Sequence, residues 1–375
     1  MLQRRTMAAA RILVVDDSIV VRKLLTNTLS QDPDLEVLGT ASDGQIALAK
    51  IEQLHPDLIT LDVEMPVMNG LEALAHIRKL YPKLPVIMFS TLTEHGAAAT
   101  LDALALGASD YATKPSGTTS SELAVDAIRR ELIPKIKALC GIVVLRLKSI
   151  TPLQPATRPK PINRKFEIVA IGTSTGGPNA LSEVLPHIPK DFPVPIVVVQ
   201  HMPPIFTRLL AERLASRSAI SIEEGSAGIA LVPGRAWIAP GNFHMTVQRA
   251  GISRRLELNQ NPPENSCRPA VDVLFRSVAT AFGANVLAVV MTGMGADGVI
   301  GTQHIRDAGG EVIIQDEASS VVWGMPGLVY AAGNADAVYP LDQLATQITR
   351  RVIESRASRP MLPLNRVAAA ESGSK

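Results

Sequence analysis

Aromatic residues are scarce in this chain. At 3% of 375 residues they leave no run of rings on which bases could stack, which excludes a single-strand nucleic-acid platform. Charge of one sign is also missing. With 37 Lys and Arg against 35 Asp and Glu, the chain has no polyanion-binding footprint, and no nucleic-acid partner is expected. The small basic clusters, Arg4-Arg5 and 158–165, read as solvated linker charge. Cysteine is nearly absent. Cys140 and Cys267 lie far apart and offer no ligand-spaced set, which fits a reducing cytoplasm. No apolar run approaches the roughly 20 residues of a membrane span, so direct membrane insertion is not expected. The opening MLQRRTMAAA lacks the apolar centre of a signal peptide and reads as an arm, with Met7 an alternative start.

What is present is length for two domains and enough apolar residues for real cores. From 11 to 111, short apolar strands alternate with helices. Strands are expected at 12–15, 35–40, 57–61, 86–89 and 109–112, with a last helix at 123–139. Alternation of this kind implies a parallel, doubly wound sheet. Ligands on such sheets bind at the carboxyl ends of the strands. Asp16 and Asp17, Asp62, Ser90 and Lys114 sit at those ends. One aspartate alone reads as a cap or a turn residue. Three at one edge repel each other unless a cation lies among them, and an all-oxygen set suits Mg²⁺. Lys114 can pair with a carboxylate or a phosphoryl oxygen, and Ser90 offers a hydroxyl to the same oxygen.

The segments VVDDS (14–18), LDVEMPVMNG (61–70), MFS (88–90) and YATKP (111–115) together resemble the receiver domain of two-component response regulators. The resemblance implies that Asp62 accepts a phosphoryl group from a histidine kinase. It also implies that Asp17, Asp62 and the backbone carbonyl of Glu64 hold Mg²⁺, assisted by Asp16, and that Ser90 and Tyr111 form the switch pair. The position of Ser90 often carries Thr in that family; the hydroxyl is kept here.

A proline-rich stretch, TPLQPATRPKPINRK (151–165), has the composition of an extended linker. Beyond it the apolar run 168–171 stops at Gly172-Thr173-Ser174-Thr175-Gly176. This is the G-x-S-x-G spacing of a nucleophile elbow. By itself it also fits a glycine-rich turn with a solvated serine. A helix can follow from Gly177, its free N–H groups facing the serine and an oxyanion. The strand 195–200 ends at His201, and the strand 286–291 runs into a glycine-rich loop carrying Asp297. Ser174, His201 and Asp297 thus each follow an apolar strand, which in a parallel sheet places them along one edge. A serine attacks once a base takes its proton, and a carboxylate orients that base and stabilises the imidazolium. The order Ser, His, Asp differs from the Ser, acid, His of ordinary α/β-hydrolases.

His244 is the rival base, but it precedes a hairpin strand instead of ending a core strand. Asp272 opens a helix, where a first-turn role is simpler. Cys267, in NSCRP, shows no elbow. The Thr175 N–H is expected to face the oxyanion. Met294, most simply loop packing, offers a second backbone N–H there. Residues 220–260 read as short strands punctuated by Pro233-Gly234 and Pro240-Gly241, forming hairpins on the sheet edge.

The motifs GTSTGGP (172–178), QHMP (200–203), APGNFHM (239–245), RPAVDVLFRSVA (268–279) and MTGMGADG (291–298) resemble the catalytic domain of chemotaxis protein-glutamate methylesterases, the CheB family. The resemblance implies hydrolysis of glutamate γ-methyl esters on methyl-accepting chemoreceptors with release of methanol, and in many members deamidation of receptor glutamines. The family's triad falls on Ser174, His201 and Asp297, and the esterase site takes no cofactor. The expected organisation is an arm (1–10), a receiver (11–140), a linker (141–165), a catalytic domain (166–358) and a disordered tail (359–375). The fold class is α/β: two doubly wound parallel-sheet domains, flavodoxin-like and then Rossmann-like with added β-hairpins. A chemotaxis histidine kinase is the implied phosphodonor, and the implied location is the cytoplasm, at chemoreceptor arrays. Two other readings are a response regulator with a binding output and a catalytically dead scaffold. The first needs a helix-turn-helix or a basic surface, and neither is visible. The second should have lost a triad residue, and none is lost.

Overall fold

The computed structural model describes residues 9–115, 121–142, 164–251 and 253–357. Most of the expected arm and linker, and the tail, lie outside the described residues.

Five strands open the chain: β1 (Ala10–Val15), β2 (Leu35–Ala41), β3 (Leu58–Asp62), β4 (Val86–Ser90) and β5 (Asp110–Thr113). They form one parallel sheet in the order β2-β1-β3-β4-β5. Between them run α1 (Ile19–Leu29), α2 (Gly44–Leu54), α3 (Gly70–Leu80) and α4 (Glu94–Ala105). After β5, α5 (Ser121–Ala127) continues through a π-helical turn (Ile128–Leu132) into α6 (Ile133–Leu139). Each of the first four helices begins at a short polar side chain that accepts a first-turn N–H: Ser18, Asp43, Asn69 and Thr93. Asn69 and Glu72 make a reciprocal capping box. These caps stop the strands cleanly and fix where their carboxyl ends open. The sheet order reverses between β1 and β3, so the crevice lies where Asp16, Asp17 and Asp62 emerge.

The second sheet has seven parallel strands in the order β14-β13-β12-β6-β7-β9-β8. In chain order its elements are β6 (Ile168–Thr173), α7 (Gly177–Val184), β7 (Ile196–Gln200), α8 (Phe206–Ala215), β8 (Ser221–Glu224) and β9 (Arg235–Ile238). A separate antiparallel hairpin follows, β10 (His244–Ala250) with β11 (Ser253–Asn259). Then come α9 (Val271–Phe282), β12 (Val286–Val290), α10 (Val299–Asp307), β13 (Glu311–Gln315), α11 (Met325–Ala331), β14 (Ala337–Tyr339) and α12 (Leu341–Ala357). Strands β6, β7, β12 and β13 are buried along their whole length. That is why they read as unbroken apolar runs: helices cover both faces of a parallel sheet.

One sequence expectation is corrected here. Residues 236–238 are not part of an edge hairpin. They belong to β9, which pairs in parallel with β7 and with β8. Ala236, Trp237 and Ile238 are all fully buried, whereas a one-faced hairpin would alternate. The β10–β11 hairpin does form. Its Met245, Val247 and Leu256 join Leu274, Phe275 and Val278 of α9 in one apolar cluster.

The two sheets meet through the α4 and β5 edge of the first and α7 and α8 of the second. Tyr111 stacks on Phe206, ring centroids 4.8 Å apart and planes 9° from parallel. Both belong to an apolar cluster that runs unbroken from one domain into the other. Arg208 pairs with Glu94 and Arg213 with Asp102, each at 2.7 Å. These pairs are largely exposed and supply orientation more than affinity. A buried bond completes the contact: the Thr175 hydroxyl donates to Asp110 Oδ2 at 2.8 Å.

Candidate active site and phosphoacceptor

Strands β12, β6 and β7 are neighbours, and each delivers one candidate catalytic residue at its carboxyl end. Ser174 follows β6. Its carbonyl accepts from Gly177 N–H at 2.8 Å and from Gln200 Nε2 at 3.0 Å, and its own N–H donates to Thr292 at 3.0 Å. The elbow needs its glycines. Gly176 has φ of 76°, and a Cβ on Gly177 would lie 2.0 Å from Gln200 Oε1. A side chain at 176 would be strained, and one at 177 would push the helix away from the strand. The Thr175 and Met294 N–H groups, both beside the serine, donate to no acceptor among the described residues.

His201 begins where β7 ends. Its Nε2 lies 2.8 Å from Asp297 Oδ2. Asp297 is held tightly: Oδ2 also accepts from Val271 N–H at 2.6 Å. Oδ1 accepts from Asp272 N–H, Gly298 N–H and the Asn265 amide at 2.9, 3.0 and 3.1 Å. Burial would raise this carboxyl, but the bonds from His201 and the backbone N–H groups win, and its pKa lies below the ordinary value. Burial disfavours the charged His201 imidazole. The neighbouring Cys267 sulfur and the bond to Asp297 outweigh that, and the pKa is pushed up to about 10.

Ser174, His201, Thr175 and Met294 line one cavity of about 1150 Å³. Asp110, Tyr111, Arg130, Glu131 and Lys135 line its other side, so the receiver forms its roof. No hydrogen bond joins Ser174 to His201 among the described residues. The second ring nitrogen, Nδ1, instead faces Cys267 Sγ at 3.5 Å.

The rival residues go elsewhere. His244 opens β10 and is buried, with Nε2 against the Pro262 carbonyl at 3.1 Å. Asp272 does lie in the first turn of α9, yet its carboxylate caps a different helix: Oδ1 accepts from Gly298 and Gly301 N–H at 3.0 and 2.6 Å. Burial holds its pKa above the ordinary value. Asn265 donates to both Asp272 and Asp297. Sequence reasoning missed Asn265, and it weighed Cys267 only as a nucleophile, not as a neighbour of the base. Their only signal is position: they immediately precede the RPAVD segment, with no spacing of their own.

At the first sheet's switch point, carboxylate oxygens of Asp16, Asp17 and Asp62 lie within 4.8 Å of one another. Asp16 and Asp62 are buried and Asp17 is exposed. Lys114 bridges the two buried ones, Nζ at 2.8 Å from Asp16 and 2.7 Å from Asp62. Burial raises Asp62 to about 6, against the opposing pull of Lys114. Burial also opposes the charge on Lys114, but Asp16 and Asp62 raise its pKa overall. The Glu64 carbonyl accepts no hydrogen bond among the described residues. Crowded, partly buried carboxylates with a free carbonyl nearby fit a hard, oxygen-loving cation such as Mg²⁺. Ser90 donates its hydroxyl to the Gly96 carbonyl at 3.1 Å. Tyr111 is buried under Phe206 with Lys135 over its ring.

A model of the CheB methylesterase family matches residues 169–348, and one of the response regulator receiver domain matches residues 12–126. A protein-glutamate methylesterase/protein-glutamine glutaminase of Trichodesmium erythraeum is 55% identical over 347 residues, spanning 91% of this chain and 99% of that protein. One of Nocardioides is 49% identical over 362 residues, 94% of this chain and 98% of that protein. One of Azospirillum brasilense is 44% identical over 373 residues, 93% of each chain. With receiver and esterase in one chain, and full-length relatives of the same make-up, this protein belongs to the CheB family of response-regulator methylesterases.

Proposed function

We propose that this chain hydrolyses glutamate γ-methyl esters on chemoreceptors, releasing methanol, under the control of phosphorylation at Asp62. The observation that carries this reading is that Ser174 and His201, the latter held by the buried Asp297, meet from three adjacent strands at a cavity roofed by the receiver. In this reading Ser174 Oγ attacks the ester carbonyl carbon and its proton passes to His201. Asp297 stabilises the imidazolium through Nε2–H. The N–H groups of Thr175 and Met294 hold the tetrahedral oxyanion. The methoxide leaves with the proton from His201, and water, deprotonated by the same imidazole, releases the glutamate. A glutamine side chain can follow the same course with ammonia leaving, which is the second activity named for the relatives.

On the receiver, Asp17, Asp62 and the Glu64 carbonyl would hold Mg²⁺, with Asp16 assisting; the ion supplies charge neutralisation for phosphoryl transfer. A kinase is the phosphodonor and a protein is the substrate. Phosphate on Asp62 draws Ser90 and Lys114 toward it. Ser90 is bound to α4 through Gly96, and Tyr111 packs against the esterase, so both lie on the route from Asp62 to the roof. In the unphosphorylated protein the roof excludes a bulky receptor helix from Ser174. No helix among the described residues is long and apolar enough to cross a membrane.

The test is methanol release from methylated receptor membranes, with and without a phosphodonor. Release that is dependent on Ser174 and raised by the phosphodonor supports the reading. Release that ignores the phosphodonor removes the regulatory half of it.

A further inference from the structure

Cys267 takes no part in the chemistry above, yet it touches the catalytic base. His201 Nε2 is committed to Asp297, so Nδ1 is the nitrogen left to accept the Ser174 proton. Cys267 Sγ is 3.5 Å from Nδ1. The contact is built. Glu264 and Cys267 exchange backbone hydrogen bonds at 3.1 and 2.8 Å, closing a tight turn. Asn265 ties that turn to Asp297. Arg268, the next residue, anchors its other end on Asn242 Oδ1 at 2.6 Å. The turn that presents the thiol is therefore fastened to the acid that orients the base.

We propose that Cys267 is a positioning residue of the esterase: its thiol shares a proton with His201 Nδ1 in the resting protein and competes with the Ser174 hydroxyl for that nitrogen. The inference rests on the assignment of His201 as base. When the proton lies on Nδ1, the pair is thiolate and imidazolium, and His201 accepts nothing from Ser174. The thiolate and Asp297 then flank the ring from both sides and favour its charged form. Turnover needs a neutral ring with Nδ1 free, so the thiol sets the pH at which the base becomes competent. The other charged groups lining the cavity are Asp110, Arg130, Glu131, Lys135 and Arg268. They are the same in every variant below, so a difference between variants reports the thiol.

The experiment uses the full chain with a glutamyl γ-methyl ester peptide as probe, and records rate against pH for wild type, Cys267→Ala, Cys267→Ser and His201→Gln. An alcohol is too weak an acid to hold the negative charge, so Ala and Ser should act alike. Both should move the rising limb down by about 1–3 pH units, the size of a neighbouring-charge effect. Below the wild-type limb each unit of displacement appears as a gain of about tenfold. A second readout is independent of turnover: the pH dependence of thiol modification, with the Cys267→Ser protein subtracted to remove Cys140. The proposal expects Cys267 to react faster in the wild type than in His201→Gln at the same pH, because the imidazole takes up its proton. If Ser restores the wild-type limb and Ala alone is impaired, the residue only packs and the proposal is overturned. The same holds if neither variant moves the limb, or if His201→Gln leaves the rate of thiol modification unchanged. If His201→Gln keeps both rate and limb, the assignment of the base fails instead.

Discussion

Removing the buried bond between the domains should release the esterase without touching its chemistry. Asp110 belongs to the receiver and is 4% exposed; its partner Thr175 is 2% exposed. Their bond, at 2.8 Å, has a charged acceptor. Such bonds contribute about 1.5–3 kcal/mol when both groups are buried. In the open protein water serves both groups, so losing this bond weakens only the closed form; the Tyr111 N–H bond to Asp110 Oδ1 lies within the receiver and is lost from both forms alike. At about 1.4 kcal/mol per tenfold, the open population and the basal rate should rise about 10- to 150-fold. The ceiling is the rate of protein lacking residues 1–160. Lys135, 3.4 Å from Asp110, keeps its bond to the Tyr111 carbonyl and its neighbour Glu131 in that variant, so it leaves the direction of the effect unchanged. The assay is initial methanol release from methylated receptor membranes by unphosphorylated protein. Thr175→Val removes that bond alone and should also raise the basal rate, and the double variant should add little to Asp110→Ala, because the bond is common to both. If the truncated protein is fast while Asp110→Ala stays slow, this bond is not what holds the roof. If the truncated protein is no faster than the unphosphorylated full chain, occlusion itself is wrong, and phosphorylation acts by direct activation or by recruitment.

Ser174→Ala should lose ester hydrolysis by about 10⁴-fold or more with its fold intact, since no second nucleophile stands at the elbow; near-normal turnover would make Ser174 a turn residue. The rate should rise with pH as His201 loses its proton, with a limb above the ordinary imidazole value of about 6.5, because Asp297 and Cys267 raise its pKa. His201→Gln should abolish that limb and most of the rate, while His244→Gln should spare both; the opposite result identifies His244 as the base. Asp62→Ala should keep basal methanol release and lose the response to a phosphodonor. Chelation of Mg²⁺ should do the same to the wild-type protein, and a basal rate that falls with chelation would place a metal in the esterase step.

Much of this arrangement was legible in the sequence because parallel sheets write themselves plainly. Runs such as Ile168–Thr173 and Ile196–Gln200 are buried on both faces, so their apolar stretches are unbroken and the polar residue that follows marks the carboxyl end. That alone brought Ser174, His201 and Asp297 to one edge. Strand β9 was misread because Pro233-Gly234 and Pro240-Gly241 punctuate a strand equally well whether the chain doubles back or crosses over. Only pairing with β7 distinguishes the two. The partners of the triad were hidden for another reason. Asn265, Cys267 and Asp272 are separated from Asp297 by 25 or more residues, and nothing in their spacing shows that the turn before α9 folds over the loop after β12. The domain contact was equally silent. The resemblance to a receiver gave Tyr111 a switch role, but Phe206 reads as an ordinary core residue, and nothing in the sequence shows that the core the two rings share belongs to two domains.

The stacking of Tyr111 on Phe206 also carries information backwards. If phosphorylation parts the domains as proposed, this contact links the two ends of the chain thermodynamically, and such linkage is reciprocal. Whatever phosphate at Asp62 does to open the esterase, occupation of the esterase by a receptor helix must do in equal measure to the stability of the phosphorylated receiver. The enzyme seated on its substrate should therefore retain its phosphoryl group against hydrolysis better at equilibrium than the free enzyme. Abundant methylated receptor would then act as a reservoir that holds the signal in place, and its depletion would help to discharge it.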